Sequence, residues 1–248
     1  MFGFSRPRGR DASGPEGYRA YAVGDAQARH APLDQLLGGI KADVASAGDR
    51  KAYLVFLGDL IDRGPESRGI VERLRTYSHA NLHPVFLMGN HEEALLRLLA
   101  GETGLLDNYL VFGGAECLMS YGADALELAA LPERQALRQI ARTIPATHKA
   151  FLESFADTFR FGDYLFVHAG IRPGVELEAQ TQADMRWIRH PFLDDETDHG
   201  FTVVHGHSIS RRVRERANRI GIDTGAYRSG VLRAIAIEDD RRWYLDTV

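Results

Sequence analysis

Short apolar segments alternate with helix-forming segments over the first hundred residues of this chain. Three strands are predicted at 19–23, 52–57 and 84–88, and each is followed by a predicted helix, at 32–47, 67–77 and 91–99. Such alternation is typical of βαβ units, in which the strands are parallel and the helices cover the sheet. The pattern therefore predicts an α/β fold.

The rest of the chain has a different pattern. A helical middle is predicted over roughly 135–156. Short apolar segments near turn residues then predict strands at 164–167, 201–204, 219–222, 231–237 and 243–245. This β-rich part is expected to form a second sheet packed on the first. Residues 1–17, rich in Gly, Arg, Pro and Ser, are predicted to be a flexible tail, and 18–248 a single domain.

Composition excludes several classes of protein. The formal net charge of −4 provides no general electrostatic attraction to nucleic acid. Cys117 is the sole cysteine, so no disulfide forms within the chain, which suits a reducing compartment. No apolar run approaches the roughly 18 residues of a membrane helix, and the first residues lack the apolar core of a secretory signal. We expect a cytoplasmic protein with neither a nucleic acid nor a membrane partner.

Polar side chains follow five of the predicted strands at the points where they end. Three early strands are followed by Asp25, Asp59, Asp62, Asn90 and His91, and two later strands end in histidines, His168 and the pair His205 and His207. Because ligand sites in open α/β sheets lie beyond the carboxyl ends of strands, we expect the first five side chains to converge in one crevice. Mixed oxygen and nitrogen donors of this kind suit two divalent ions about 3.5–4 Å apart, bridged by one carboxylate.

Four segments carry a resemblance to a known family: GDLIDRG at 58–64, GNHE at 89–92, VHAG at 167–170 and VHGHS at 204–208. They resemble the signature blocks of the calcineurin-like metallophosphoesterases, and within these the bacterial phosphoprotein phosphatases. FGGAECLMSYG, DMRWIRHPF and NRIGIDTGAYRSG extend the resemblance to the C-terminal part. It implies a four-layer α/β/β/α sandwich with two packed mixed β-sheets and a metal site at the C-terminal ends of strands.

The resemblance implies a ligand set for two metals. Asp25 is expected to bind metal 1 and Asp59 to bridge both ions, while Asn90, His168 and His207 complete metal 2. A bridging hydroxide, formed when the metals lower the pKa of water, is expected to attack phosphorus in line. Two divalent ions are expected, with Mn²⁺ favoured and Fe, Zn²⁺ or Mg²⁺ as alternatives.

The resemblance also implies catalytic and substrate-binding residues. His91 is expected to protonate the leaving oxygen, and Asp62 to hydrogen-bond its imidazole and keep it protonated. Arg63 and Arg189 are expected to bind phosphoryl oxygens, because a guanidinium fork matches them and keeps its charge. Asn90 is also expected to contribute to substrate binding. As a neutral oxygen ligand, it leaves its metal more electrophilic.

One position departs from the family pattern. The family has Asp-x-His-Gly where this chain has Asp25-Ala26-Gln27-Ala28. Gln27 could coordinate a hard ion such as Mn²⁺ or Mg²⁺ through its carbonyl oxygen. Alternatively, metal 1 is weak or lost, or the change marks another substrate, since relatives that split dinucleoside tetraphosphates resemble this chain in carrying Gln there. The presence of Asp62 and Arg189, which those relatives tend to lack, favours the first interpretation.

The expected function is a metal-dependent phosphomonoester hydrolase, acting as a serine/threonine phosphatase on a phosphoprotein or phosphopeptide. Two alternatives stay open: a symmetrical dinucleoside tetraphosphate (Ap4A) hydrolase, and a phosphate-binding pseudophosphatase with a weakened metal 1 site. Substrate choice is expected to lie in the rim around 105–150 and 190–200. The sequence determines neither the native metal nor the oligomeric state.

Overall fold

The structure, a computed structural model, describes residues 12–46, 48 and 50–247. Two mixed five-stranded sheets pack against each other, with helices against them. The predicted α/β fold with two packed mixed sheets is confirmed. No helix in the described ranges is both long and apolar enough to cross a membrane.

The first sheet contains the three parallel strands predicted from the N-terminal part of the chain. Across the sheet, the order is β10 (Arg241–Asp246), β9 (Arg233–Glu238), β1 (Tyr18–Val23), β2 (Lys51–Phe56) and β3 (Leu82–Phe86). β1 pairs in parallel with β2, and β2 with β3, whereas β9 is antiparallel to β1 and β10. β1 and β2 are central strands, which explains their nearly continuous apolar sequences.

The second sheet is built from the following part of the chain. Its order is β4 (Thr158–Phe161), β5 (Tyr164–Val167), β6 (Thr202–His205), β8 (Arg219–Gly221) and β7 (Arg214–Glu215). β5, β6 and β8 are parallel to one another, and the two outer strands are antiparallel to their neighbours. Each sheet therefore has three parallel strands whose carboxyl ends can carry ligand-binding residues.

Helices connect the strands and cover both sheets. They are α1 (His30–Ala45), α2 (Ser67–Arg75), α3 (Asn90–Leu99), α4 (Leu106–Tyr109), α5 (Ala115–Ser120), α6 (Ala125–Ala130), α7 (Glu133–Thr143), α8 (Ala146–Glu153), α9 (Gln182–Trp187) and α10 (Ala226–Ser229). A π-helical segment at Leu110–Gly114 joins α4 to α5, and 3₁₀ turns lie at Leu177–Ala179 and Phe192–Asp194.

Three hydrophobic clusters correspond to the three interfaces of a four-layer sandwich. In the first, α1 and α2 pack on the first sheet through residues such as Leu36 and Ile70. In the second, side chains of the two sheets meet, among them Val55 and Phe166. In the third, Met185 of α9 packs against the second sheet. The implied α/β/β/α layering thus matches the observed core.

Several details differ from the sequence-based expectations. β9 and β10 were expected in the second sheet but extend the first, because β9 pairs with β1. The expected helix over 135–156 is two helices, α7 and α8, since Pro145 lacks the N–H that a continuous helix needs. β4 and the helices between 106 and 130 were not predicted.

Part of the predicted tail is packed against the protein. Ala12 is buried, and the backbone N–H of Ser13 donates to Asp163 while that of Gly14 donates to the carbonyl of Asp239. These hydrogen bonds hold the backbone at Ser13 and Gly14, while the flexible tail over 1–17 stays a prediction. Residues 1–11 of that tail lie outside the described residues, and a single domain over 18–248 stays a prediction.

Candidate active site

The carboxyl ends of the parallel strands of both sheets meet at one end of the sandwich. Asp25, which follows β1, accepts hydrogen bonds from the backbone N–H of His207 at 3.0 and 3.2 Å. The ring Nδ1 of His168, which follows β5, lies 2.7 Å from the carbonyl oxygen of Leu57, which follows β2. These contacts join the first sheet to the second at the predicted crevice.

Three of the predicted ligands of metal 2 form a compact group. Asp59, His168 and His207 each offer one atom, and these atoms lie within 4.8 Å of one another. The ring Nε2 of His168 is 3.4 Å from Asp59 Oδ1 and 3.0 Å from Asn90 Oδ1. All four side chains are buried.

The donor set fits a cation. Nδ1 of His168 donates to the Leu57 carbonyl in the neutral tautomer, so Nε2 presents a lone pair to another acceptor, Asn90 Oδ1. The buried Nε2 of His207 has no hydrogen-bond partner among the described residues. Burial and the neighbouring His168 lower the pKa of His207 to about 3, so its ring is neutral at pH 7. Converging unprotonated acceptors of this kind are typical of metal sites.

The metal 1 side is also rich in acceptors. Asp25 and Gln27 are each 1% exposed, and Gln27 Oε1 has no hydrogen-bond partner among the described residues. Burial and the nearby Asp223 and Asp59 carboxylates raise the pKa of Asp25 well above its usual range. A bound cation would relieve this repulsion, so the residues at metal 1 also fit a metal.

Glu92 organises the loop that carries Asp59. Its Oε2 accepts the backbone N–H of Asp59 at 2.8 Å, and its Oε1 accepts that of Leu60 at 2.7 Å. Further bonds from Ile61 and Gly89 use the same carboxylate. Glu92 is fully buried in the first turn of α3, and its carboxylate fixes the backbone of the loop that carries Asp59.

The backbone around the site adopts an uncommon conformation. Seven non-glycine residues in the described ranges have positive φ, and six of them belong to the site loops. The six are Gln27, Ala28, Asp59, Asp62, Arg63 and His207. Left-handed conformations in residues other than glycine cost free energy and concentrate at functional sites. This clustering independently marks the crevice as the functional region.

Asp62 and His91 form the predicted pair. His91 Nδ1 lies 2.6 Å from Asp62 Oδ2, and the Tyr109 hydroxyl donates to Asp62 Oδ1 at 2.9 Å. His91 Nε2 is 3.9 Å from Asp59 Oδ2, so it faces the metal ligands. Burial alone would lower the pKa of His91, but the Asp59 charge and the Asp62 hydrogen bond outweigh it and raise the pKa to about 9.

Arg63 and Arg189 line a cavity of about 450 Å³ that opens beside these ligands. The guanidinium of Arg63 stacks 4.8 Å above the ring of Tyr227, and Arg189 donates to the carbonyl of His207 at 3.4 Å. Neither arginine belongs to an ion pair among the described residues. Both guanidinium groups therefore keep their charge available for an anion.

Aromatic side chains form part of the wall of the same cavity. Phe112 is 64% exposed and Trp187 is 44% exposed, although both are large apolar groups. The indole Nε1 of Trp187 donates to Glu93 Oε2 at 2.6 Å, which fixes the ring at the rim. Exposed aromatic surface beside a polar centre is typical of a ligand-binding site.

The structure brings the predicted site residues together. Eight are buried at the predicted metal positions and two, Arg63 and Arg189, line the cavity. The eight are Asp25, Gln27, Asp59, Asp62, Asn90, His91, His168 and His207. His205, by contrast, packs edge-on against Phe192 and has its ring beside Gly206, so it lies outside this group.

Three residues that contribute to the candidate site were not identified from the sequence. Glu92 lies within GNHE, but nothing in the pattern shows that its carboxylate supports another loop. Asp223 follows β8 as Asp25 follows β1, so the same strand-end pattern was available to identify it. Tyr109 approaches Asp62 from the unpredicted helical segment around 106–120, and no sequence pattern marks that contact.

A family model for calcineurin-like phosphoesterases matches residues 18–229, so the chain belongs to that family. The fold and the buried donor set agree with a dinuclear, metal-dependent phosphoesterase. This family membership confirms the resemblance of the signature segments. It identifies the chain as a hydrolase of phosphate esters or anhydrides, while the substrate requires separate argument.

Particular relatives are named as tetraphosphatases. The chain is 34% identical over 158 residues to a symmetrical bis(5'-nucleosyl)-tetraphosphatase of Methylococcus capsulatus, covering 64% of this chain and 45% of that protein. A protein of the same name from Nitrosospira multiformis is 24% identical, and the match covers 91% of this chain and 74% of that protein. The chain thus aligns with less than half the length of the first of these relatives.

A solved structure has the same fold. It is that of a candidate diadenosine tetraphosphatase, with a TM-score of 0.66 and 20% sequence identity. The match covers 96% of this chain and 99% of that chain. At this level of identity the likeness concerns the fold alone.

Proposed function

We propose that the chain hydrolyses dinucleoside tetraphosphates, splitting the central phosphoanhydride. The cavity of about 450 Å³ carries this proposal, because it combines arginines beside the metal ligands with exposed aromatic rings. The arginines can bind a polyphosphate chain, and the aromatic rings can bind a nucleoside. Two further observations support the proposal. Gln27 is the residue that relatives splitting dinucleoside tetraphosphates carry at this position, and the two sequence relatives are named as such enzymes. We therefore favour the tetraphosphatase alternative over the protein phosphatase.

The aromatic rings suit a nucleobase. Stacking of a base on an aromatic ring contributes about 1–3 kcal/mol and tolerates any base. Phe112 and Trp187 are exposed on the cavity that also contains His91. Trp187 is held at the rim by its bond to Glu93, so its stacking surface needs little ordering on binding.

The polar residues suit the phosphates. Two divalent cations, held by Asp25, Gln27, Asp59, Asn90, His168 and His207, would supply Lewis-acid charge and activate a water molecule. Arg63 and Arg189 bind the oxygens of the attacked phosphate and offset its charge. His91 holds a proton on Nε2, beside the metal ligands, where the leaving phosphate oxygen departs.

Product analysis tests the proposal. Wild-type protein with Mn²⁺ is incubated with diadenosine tetraphosphate, and the nucleotides are separated by chromatography. ADP as the sole nucleotide product is expected, because cleavage at the central anhydride gives two equal halves. AMP with ATP would contradict symmetrical cleavage, and unchanged substrate would contradict the proposed substrate class. Asp59→Asn is the control for contaminating activity, since it alters the bridging ligand.

The Asp62–His91 pair favours a second candidate, a serine/threonine protein phosphatase. A serine alkoxide is a poor leaving group and needs a proton donor, whereas ADP leaves as a stable phosphate anion. His91 is bonded to Asp62 at 2.6 Å and its pKa is raised to about 9, as a donor requires. Mn²⁺-dependent phosphate release from phosphoserine and phosphothreonine peptides, with no ADP from the tetraphosphate, would establish this candidate instead.

A further inference from the structure

Asp223 is a buried carboxylate that the roles described above do not use. It follows β8 at the same end of the sandwich as the metal ligands and is 2% exposed. Its Oδ1 accepts the backbone N–H of Gly225 at 2.8 Å. Its Oδ2 has no hydrogen-bond partner among the described residues. One oxygen therefore fixes the carboxylate, and the other remains available.

The free oxygen belongs to the metal 1 region. Gly24 and Ile222 pack closely, since a Cβ placed at Gly24 would lie 3.1 Å from the Ile222 carbonyl oxygen. The residues that follow them, Asp25 and Asp223, are consequently neighbours at the same end of the two sheets, and both are buried. Two adjoining buried carboxylates repel each other unless a proton or a cation lies with them.

Charge in this region favours a cation. Asp25, Asp59 and Asp223 are all at most 2% exposed. Arg63 acts on both Asp25 and Asp223, and His91 Nε2 lies 3.9 Å from Asp59 Oδ2, so two cationic groups face three buried carboxylates. Gln27 Oε1 is a second buried acceptor without a partner among the described residues. Acceptors outnumber donors on this side of the site, as a metal position requires.

We propose that Asp223 is a ligand of metal 1 and compensates for the missing histidine. A neutral amide oxygen at Gln27 is a weaker ligand than an imidazole, whereas an additional carboxylate supplies both a donor atom and a negative charge. Metal 1 is then held by oxygen atoms of Asp25, Gln27, Asp59 and Asp223. Such an all-oxygen set suits a hard ion such as Mn²⁺ or Mg²⁺.

This inference rests on the two-metal centre of the proposed function but is independent of the substrate. Its test is therefore metal binding without substrate. Metal-free wild-type protein is dialysed against a series of Mn²⁺ concentrations, and bound metal is measured by elemental analysis. Two ions per chain are expected. In Asp223→Asn, one ion is expected to remain, and the affinity for the other to fall at least about tenfold.

A matched control separates ligation from a general change of charge. Asp240→Asn makes the same chemical change at an exposed position in the turn between β9 and β10. It is expected to bind two ions like the wild type. Two ions bound with wild-type affinity by Asp223→Asn would overturn the proposal, because the carboxylates would then merely share a proton. A single ion in the wild type would overturn it as well.

A rescue variant excludes a purely structural role. Gln27→His in the Asp223→Asn background restores a strong ligand to metal 1, so the second ion is expected to return. A structural defect at Asp223 would persist, and that result would contradict the proposal. If Asp223→Asn does not fold, a crystal structure of the wild type with Mn²⁺ decides. An anomalous scattering peak within ligand distance of Asp223 Oδ2 supports the proposal, and the absence of a peak there refutes the proposal.

Failure of this inference and failure of the proposed function give different results. Loss of the second ion without any ADP production by the wild type would support Asp223 as a ligand and reject the tetraphosphatase. ADP production by the wild type, together with two metal ions still bound per chain in Asp223→Asn, would support the tetraphosphatase and reject Asp223 as a ligand.

Discussion

Asp62 fixes the ring of His91 through a 2.6 Å contact between Oδ2 and Nδ1. The other oxygen of the same carboxylate is held by the hydroxyl of Tyr109 at 2.9 Å. Asp62 is fully buried, so both of its interactions are shielded from solvent. The pair therefore sets both the direction and the protonation of the imidazole, which leaves Nε2 facing the metal ligands.

The pH dependence of activity should change when Asp62 is removed. The pKa of His91 is raised to about 9, so the ring stays protonated below that pH and loses its proton above it. Asp62→Asn removes a contribution that raises the pKa, so the alkaline decline of kcat is expected to begin at lower pH. A pH profile with Mn²⁺ held constant measures this. An unchanged alkaline limb would contradict the assigned role of the pair.

His91→Ala should affect substrates according to their leaving groups. Nitrophenolate leaves readily without a proton, whereas an alkoxide requires one. Loss of general acid catalysis is expected to reduce kcat about 10²–10⁴-fold on an alkyl phosphate and far less on nitrophenyl phosphate. Steady-state kinetics on both esters measure the difference. Equal losses on both substrates would assign His91 to metal-site structure rather than proton donation.

Residues at strand ends were predictable because their signal is local. An apolar segment followed directly, or after one glycine, by Asp, Asn or His marks a position at the edge of a sheet, and Asp25, Asn90 and His168 all obey this rule. Most strands of the core were found for the same reason. The boundaries of β5, Tyr164–Val167, agree with the prediction.

Contacts between distant segments were not predictable in this way. An alternating strand pattern specifies which residues face the core but not which sheet the strand joins, so β9 was assigned to the wrong one. The contact between Tyr109 and Asp62 spans 47 residues and depends on the packing of α4, whose sequence has no strong helical period. The support that Glu92 gives to Asp59 is likewise a product of tertiary structure.

A buried ion pair at the opposite end of β1 should stabilise the fold. The side chains of Arg19 and Glu238 are 7% and 2% exposed, and Arg19 Nε donates to Glu238 at 2.7 Å. Arg19→Ala leaves this carboxylate without its main partner, so a loss of about 3 kcal/mol in the free energy of unfolding is expected. Urea unfolding at pH 7 measures it.

The same pair predicts a pH dependence and has a matched control. Burial alone would raise the pKa of Glu238, but its bonds to Arg19 outweigh this and lower it. Its contribution is therefore present above the unfolded pKa and is lost as pH falls through the folded value, so the wild type and Arg19→Ala converge in acid. Arg73→Ala breaks an exposed pair with Asp34 and should cost less than about 1 kcal/mol. Equal effects of the two variants at pH 7 would contradict the prediction.

Phe112 should distinguish a nucleotide from a small ester. Its ring is 64% exposed on the cavity beside the metal ligands, where a base can stack. Phe112→Ala is expected to raise KM for diadenosine tetraphosphate by about 5- to 150-fold, corresponding to 1–3 kcal/mol of stacking. For nitrophenyl phosphate, which lacks a nucleoside, KM should stay within about twofold.

Leu126→Ala, at a position that is 83% exposed and outside the lining of this cavity, is the matched control and should change neither constant. An equal rise for both substrates in Phe112→Ala would mean that the ring supports the shape of the site, and the aromatic wall would then no longer argue for a nucleoside.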